Sequence, residues 1–176
     1  MTYCDFCNAL PANTFDPNKA YHDTEYGFMQ ADDNVLFERL ILEINQAGLN
    51  WTLILKKRVA FQAAYAQFDV AKVAAFDEDD VIRLLNDASI VRNRLKIQAA
   101  IYNAQQILVL QKEYGSLKNW LDLHHPREKS EWVKLFKQQF KFVGGEIVGE
   151  FLMSLGYLMG AHQSDCPIGR KLATHI

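Results

Sequence analysis

The sequence predicts an all-α protein, and three observations carry that expectation. Apolar residues recur at intervals of three and four in several segments. No stretch sustains the period-two alternation of a half-buried strand. The four prolines, Pro11, Pro17, Pro126 and Pro167, all fall outside the periodic segments. The first helix has Leu36, Phe37, Leu40, Ile41 and Ile44 on its apolar stripe, with Asp33 as its expected cap. Phe61, Tyr65 and Phe68 continue the pattern in a second segment. Asp77 is the expected cap of a third, with Val81, Ile82, Leu84 and Leu85. A long helix is expected from about Arg92 to Tyr114, burying Leu95, Ile97, Ile101, Ala104 and Leu108, and Gly115 stops it. Ser130 is the expected cap for a helix with Trp132, Val133, Leu135 and Phe136, and the last segment, Ile147 to Leu158, follows the pair Gly144-Gly145. Residues 1–31 read as irregular and polar, so something must pin them down.

A chain of 176 residues suits a single domain, 1–176, possible also as two closely packed helical lobes. With 49% hydrophobic and 23% charged residues it can build an ordinary globular core. No apolar run approaches the roughly 20 residues that span a bilayer. The N-terminus, MTYCDFCNAL, lacks a basic region followed by an apolar run, and three cysteines are too few for a disulfide framework, so a reduced cytoplasmic protein is expected. The net charge of −2 argues mildly against a nucleic-acid partner, but its distribution is uneven. Residues 1–55 carry eight acids and two bases, a balance of −6, which leaves +4 for the remainder. The later bases cluster at Lys56-Lys57-Arg58, at Arg92, Arg94 and Lys96, and at Lys129, Lys134, Lys137 and Lys141. These clusters fit solvated helix faces, and they equally fit a basic face that binds DNA locally.

Three constellations can carry chemistry. Cys4, Cys7 and His22 lie near the start, and His162 and Cys166 near the end, at a spacing that places two ligands on one side of a helical turn. Cys4, His22, His162 and Cys166 would make a closed tetrahedral Cys2His2 zinc site, with Cys7 competing for the place of Cys4 and free thiols as the alternative. Such a site would close a loop of roughly 140 residues, a constraint on the order of 4–5 kcal/mol. The second constellation joins Tyr21-His22-Asp23-Thr24-Glu25-Tyr26-Gly27 with the segment from Glu43 to Trp51. Glu43 lies seven after Leu36 and three after Leu40, at the rim of the buried stripe, where a carboxylate faces either a pocket or solvent. The third is Phe140-Lys141-Phe142-Val143-Gly144-Gly145-Glu146-Ile147. Two glycines ahead of a helix expose backbone N–H groups that can hold a phosphate, though an ordinary inter-helix turn reads the same way. GxGxxG, Walker A and HExxH patterns are absent, which removes the common nucleotide and metalloprotease readings.

Together these segments resemble the 3-methyladenine DNA glycosylase I family of the helix-hairpin-helix glycosylase superfamily. The residues that carry the resemblance are Tyr21 to Gly27, Leu42 to Trp51, Leu55 to Arg58, Arg92 to Ile97, Phe140 to Gly144, and His162 with Cys166, in order along nearly the whole chain. The block Glu-x-x-Gln-Ala-Gly-Leu-x-Trp and the split metal ligands are its specific parts. The resemblance implies a helix-hairpin-helix fold with a structural zinc clip from Cys4, His22, His162 and Cys166 joining the two ends. It implies a base pocket in which Glu43 is the catalytic and base-reading group, with Tyr21, Tyr26, Trp51 and Gln46 as substrate contacts. It implies a phosphate grip at Lys141, Gly144 and Gly145. The partners implied are double-stranded DNA with alkylated purines and free 3-methyladenine as product. The enzyme implied is a monomer of the bacterial cytoplasm, associated with the nucleoid. It depends on base flipping and simple hydrolysis, without strand cleavage. The sequence departs from the family's usual residues at Asn18, Tyr26, Gly145-Glu146 and Gly160-Ala161.

Overall fold

Residues 2–11 and 13–173 are described in the computed structural model, and among them all regular structure is helical. The N-terminal segment, expected to be irregular, folds as two short helices, α1 (Tyr3–Ala9) and α2 (Pro17–Thr24). Local chemistry makes them. Thr2 and Asp5 form a reciprocal capping box on α1, while Asp16 caps α2 and Pro17 occupies its first turn. Each buries only a few residues, too few to draw an apolar stripe in the sequence.

α3 (Asp33–Gln46) is capped by Asp32 rather than Asp33. The Asp33 carboxylate instead accepts the backbone N–H groups of Leu117 (2.8 Å) and Lys118 (3.2 Å) and the Gln111 amide (2.8 Å). α4 (Trp51–Ala64) is capped by Asn50 and does not reach Phe68. Ala66, Gln67 and Phe68 have φ of 50°, 58° and 55°, a short 3-10 turn that breaks the helical continuation. Tyr65 and Phe68 still fill the core, their rings stacked at 5.6 Å. α5 (Val70–Ala74) and α6 (Glu78–Asn86) follow, and Asp77 caps α6 as expected, in a capping box with Asp80.

α7 (Arg94–Tyr114) starts after its cap Asn93 and ends at Gly115, whose φ of +86° suits glycine. Ile97, Ala100, Ala104 and Ile107 form its inner stripe, whereas Leu95 and Leu108, expected inside, are 67% and 37% exposed. α8 (Leu117–His124) was hidden by its brevity. α9 (Lys129–Gln139) takes Glu128 as its cap, in a box with Glu131, and Ser130 sits inside the first turn. α10 (Gly145–Ser154) stops short of the expected Leu158, and α11 (Pro167–Ala173) closes the described chain.

α3 is the axis of the molecule. It packs against α4, α5, α7, α8 and α10, and Leu36 to Asn45 are all buried. There is therefore no rim on this helix, and its polar residues Glu38, Arg39, Glu43 and Asn45 are enclosed with the apolar ones. Most are satisfied. Arg39 donates to the Tyr21 hydroxyl (3.3 Å), the Ser154 carbonyl (3.2 Å) and Glu25 (3.3 Å). Arg58 bridges Glu25 (2.7 Å) and Glu38 (2.8 Å), which ties α4 to α3 and to the end of α2. The basic clusters of the sequence are thus partly used by the protein itself: Arg58 in this network, Lys96 on the carbonyls of Asn45 (3.0 Å) and Ala47 (2.6 Å) at the end of α3, and Arg94 on Glu78 at the surface. No helix among the described residues is long and apolar enough to cross a membrane.

Candidate active site

The C-terminal end of α3, the start of α4, the two N-terminal helices and α10 converge on a cavity of about 450 Å³. Tyr3, Tyr21, Tyr26 and Trp51 form its aromatic wall, and Glu43, Gln46, Glu146 and Glu150 supply its polar groups. The rings brace each other: Trp51 stands edge-on to Tyr21 at 5.1 Å, and Tyr26 lies 5.8 Å from Tyr21 and 5.6 Å from Tyr3. A purine ring entering here would meet π faces and edges rather than aliphatic side chains.

Glu43 is 4% exposed, and among the described residues it makes no hydrogen bond and no ion pair. Burial, and secondly the nearby Glu150 charge, push its pKa up to about 8, against a smaller downward pull from Arg39. Arg39 makes no hydrogen bond to it; the terminal guanidinium nitrogens donate to Tyr21, Ser154 and Glu25. A carboxyl so enclosed is costly without a donor, and the cavity is where its oxygens are open to one. Glu150 is held differently: the Tyr26 hydroxyl donates to its Oε2 at 3.2 Å.

Beside this pocket, Cys4, His22, His162 and Cys166 bring their ligand atoms within 4.8 Å of one another. The Cys166 sulfur lies 3.6 Å from His22 Nε2 and 3.6 Å from His162 Nδ1, and the Cys4 sulfur 3.7 Å from His162 Nδ1. Metal bonds of about 2.1 Å to nitrogen and 2.3 Å to sulfur at a tetrahedral angle place N and S about 3.6 Å apart, so the donor set fits an ion. The other ring nitrogens are occupied as ligand histidines require. His22 Nδ1–H donates to Asp23 (2.7 Å) and His162 Nε2–H to the Tyr26 carbonyl (2.7 Å), which turns the lone pairs toward the cluster. Cys7 is not part of it; its thiol donates to the Asn18 carbonyl at 3.6 Å. His162 and Cys166 sit in turns ahead of α11, not on a helical turn as their spacing suggested. Gly27 has a φ of +83°, and a Cβ there would stand 3.2 Å from the His162 ring, so glycine lets the two ends close.

Between α9 and α10 the chain makes a tight hairpin. Asn103 fixes it by donating to the Lys141 carbonyl (3.1 Å) and accepting the Lys141 N–H (2.8 Å), and Phe142 takes a left-handed φ of +60°. The Lys141 ammonium lies 4.1 Å from the Tyr102 ring centre. Gly144 caps α10 with φ −81° and ψ 172°, and a Cβ built on it meets nothing within 4 Å. The free protein has no steric need for glycine at that point. Glu146 turns toward Lys129 on α9 (3.3 Å), with its side chain exposed.

The model of the methyladenine glycosylase family matches residues 12–132. The chain belongs to that family. The DNA-3-methyladenine glycosylase 1 of Escherichia coli K12 is 37% identical to it, covering 84% of this chain and 88% of its own. The Haemophilus influenzae DNA-3-methyladenine glycosylase is 32% identical, covering 84% and 89%. A tyrosine-to-phenylalanine variant of a 3-methyladenine DNA glycosylase I, solved in complex with 3-methyladenine, superposes with a TM-score of 0.82 at 32% identity over 96% of this chain and 97% of that one. The Staphylococcus aureus 3-methyladenine DNA glycosylase I, solved to describe 3-methyladenine recognition, gives 0.81 at 32% identity over 96% of each.

In this glycosylase, therefore, all five pocket residues named from sequence, Tyr21, Tyr26, Glu43, Gln46 and Trp51, line one cavity. Lys141, Gly144 and Gly145 share the hairpin, outside the pocket lining. Sequence reasoning missed Tyr3 and Glu150, and it placed Glu146 in the hairpin without its part in the cavity lining. A signal existed for Glu150: it is an acid on the most apolar helix of the chain, next to the buried Gly149 and Phe151.

Proposed function

We propose that this DNA glycosylase hydrolyses the N-glycosidic bond of 3-methyladenine in alkylated double-stranded DNA, acting on a base flipped out of the stack. The observation that carries the reading is Glu43, an enclosed carboxyl with no protein donor at an aromatic cavity. Alkylation at N3 makes the attached adenine cationic and weakens its bond to the sugar. The protein must then recognise the cation and admit water. Glu43 ionises against the cation and accepts from its exocyclic amine, a charge-assisted hydrogen bond. Tyr21 and Trp51 add cation–π attraction of about 0.5–2 kcal/mol each. Neutral adenine gains neither in full, and that difference is the selectivity. In the chemical step the water oxygen bonds to C1′ and releases a proton to solvent water. The C1′–N9 bond breaks toward the base, whose charge the electron pair cancels. No lysine lines the pocket, which supports hydrolysis without an imine to the sugar and hence without strand cleavage.

Zinc is the metal that the Cys2His2 donor set favours, and four protein ligands leave it no open position, so its role is structural. The α10 N-terminus at Gly144 and Gly145 supports a grip on a DNA phosphate through backbone N–H groups, with Lys141 beside it.

Glu43→Gln tests the reading, since it keeps the size and removes the charge. Release of 3-methyladenine from methylated duplex DNA, followed by chromatography, should fall by one to two decades, the equivalent of about 1.5–3 kcal/mol. A variant that excises at the wild-type rate would overturn the recognition mechanism.

A further inference from the structure

Two of the three acids at this cavity, Glu43 and Glu150, stand under different constraints. Glu43 comes from α3 and has no donor, while Glu150 comes from α10 and keeps the Tyr26 hydroxyl. No lysine, arginine or histidine is among the residues lining the space between them. We propose that Glu150 is a specificity-determining residue of the pocket, a second carboxylate that makes the site demand a formally cationic base. The inference rests on the proposed base-reading role of Glu43 and extends it.

Two carboxylates at one desolvated cavity do not both ionise without a counter-charge. The groups facing Glu43 are Tyr3 from α1, Tyr21 from α2, Tyr26 just after it, Arg39 on α3 itself, and Glu150 with Glu146 from α10. Arg39 is the one cation in this set, and it is committed to Tyr21, Ser154 and Glu25. Glu146 is paired with Lys129 at the surface. In the free pocket, burial and the nearby Glu150 charge hold Glu43, the more enclosed of the two, toward its protonated form. A neutral purine leaves that proton in place and meets a carboxylic acid. A cationic purine offsets both charges, so Glu43 gives up its proton and becomes an acceptor. Affinity for a cation should accordingly rise with pH up through the Glu43 pKa of about 8, with release of up to one proton.

Glu150→Gln keeps the shape and an acceptor for Tyr26, and removes the charge. Binding of 3,9-dimethyladeninium, a permanent cation with a methyl in place of the sugar, is compared with neutral 9-methyladenine by calorimetry from pH 6 to 9. Buffers of different ionisation enthalpy give the proton count. In Glu150→Gln the midpoint of the pH-dependent affinity should fall by about one unit or more. At pH 9 the preference for the cation should fall at least about tenfold. Glu150→Asp, which keeps the charge, should retain most of the preference. A Gln variant with the wild-type midpoint, proton count and preference would overturn the assignment of Glu150 while leaving the Glu43 reading intact. A wild-type protein that binds neither purine would overturn both.

Discussion

At the scale of single residues, the side chain proposed to read the base also weakens the fold, and the dependence on pH has a definite sign. Glu43 titrates near 4.5 when exposed and near 8 in the folded protein. The folded state therefore binds more protons between these values. Stability is fully present below pH 4.5, declines across the window, and carries the whole penalty above pH 8. At neutral pH the penalty is on the order of 3 kcal/mol. Glu43→Gln should melt close to wild type at pH 5 and several degrees above it at pH 8, read by thermal unfolding in both buffers. Equal melting temperatures at pH 8 would mean that the carboxyl is better solvated than its burial implies. Glu43 was legible in the sequence because a resembling motif surrounds it and because an acid three residues after Leu40 is unusual. Its enclosure was not, since a stripe drawn on one helix cannot show that other helices cover the opposite face. Glu150 was less legible still: its hydroxyl partner, Tyr26, lies far away in the chain.

At the scale of elements, the hairpin between α9 and α10 gives the cleanest separation of roles. Gly144 has a backbone conformation open to any residue, and free space where a side chain would go. Gly144→Val should thus cost the folded protein no more than about 1 kcal/mol as a poorer cap. It should weaken binding to duplex DNA by about tenfold or more, because the added methyls occupy the approach of a phosphate. Free 3-methyladenine should bind almost as before. Parallel loss of both affinities, measured by fluorescence titration, would place the hairpin's role in the pocket or the fold instead. The periodic elements α3, α6, α7, α9 and α10 were visible from apolar spacing, but their starts slipped where two capping residues were neighbours. Asp32 and Asp33 are the example: either can cap α3, and only the position of α8 shows that Asp33 is needed elsewhere. α1 and α2 escaped detection because their stability comes from caps and from the cluster of cysteines and histidines, not from an apolar face.

At the scale of the whole molecule, the two chain ends build the pocket wall as they meet. Tyr3 precedes Cys4, Tyr21 precedes His22, and the Tyr26 carbonyl accepts from His162. Three lining tyrosines therefore hang on three of the four donors. Removal of the proposed zinc by a chelator should lower the melting temperature and weaken free 3-methyladenine binding together, with metal content followed by elemental analysis. Undiminished base binding by metal-free protein would show that helix packing alone holds the wall. The four donors were legible as residue types at two distant ends, and the resemblance to the family implied their convergence, which the structure shows; spacing alone left Cys7 and free thiols open, because the meeting of the ends depends on how α3 and α10 stack between them. Lys96 has a further consequence at this scale. Its ammonium holds the carbonyls of Asn45 and Ala47, on either side of the pocket residue Gln46, and lies 5.8 Å from the centre of the Phe142 ring in the hairpin. One buried side chain thus spans the two parts that would touch DNA. A phosphate seated at Gly144 would lie at a set offset from the nucleotide able to enter the cavity, so the enzyme would carry a ruler and inspect one position per stop along the strand.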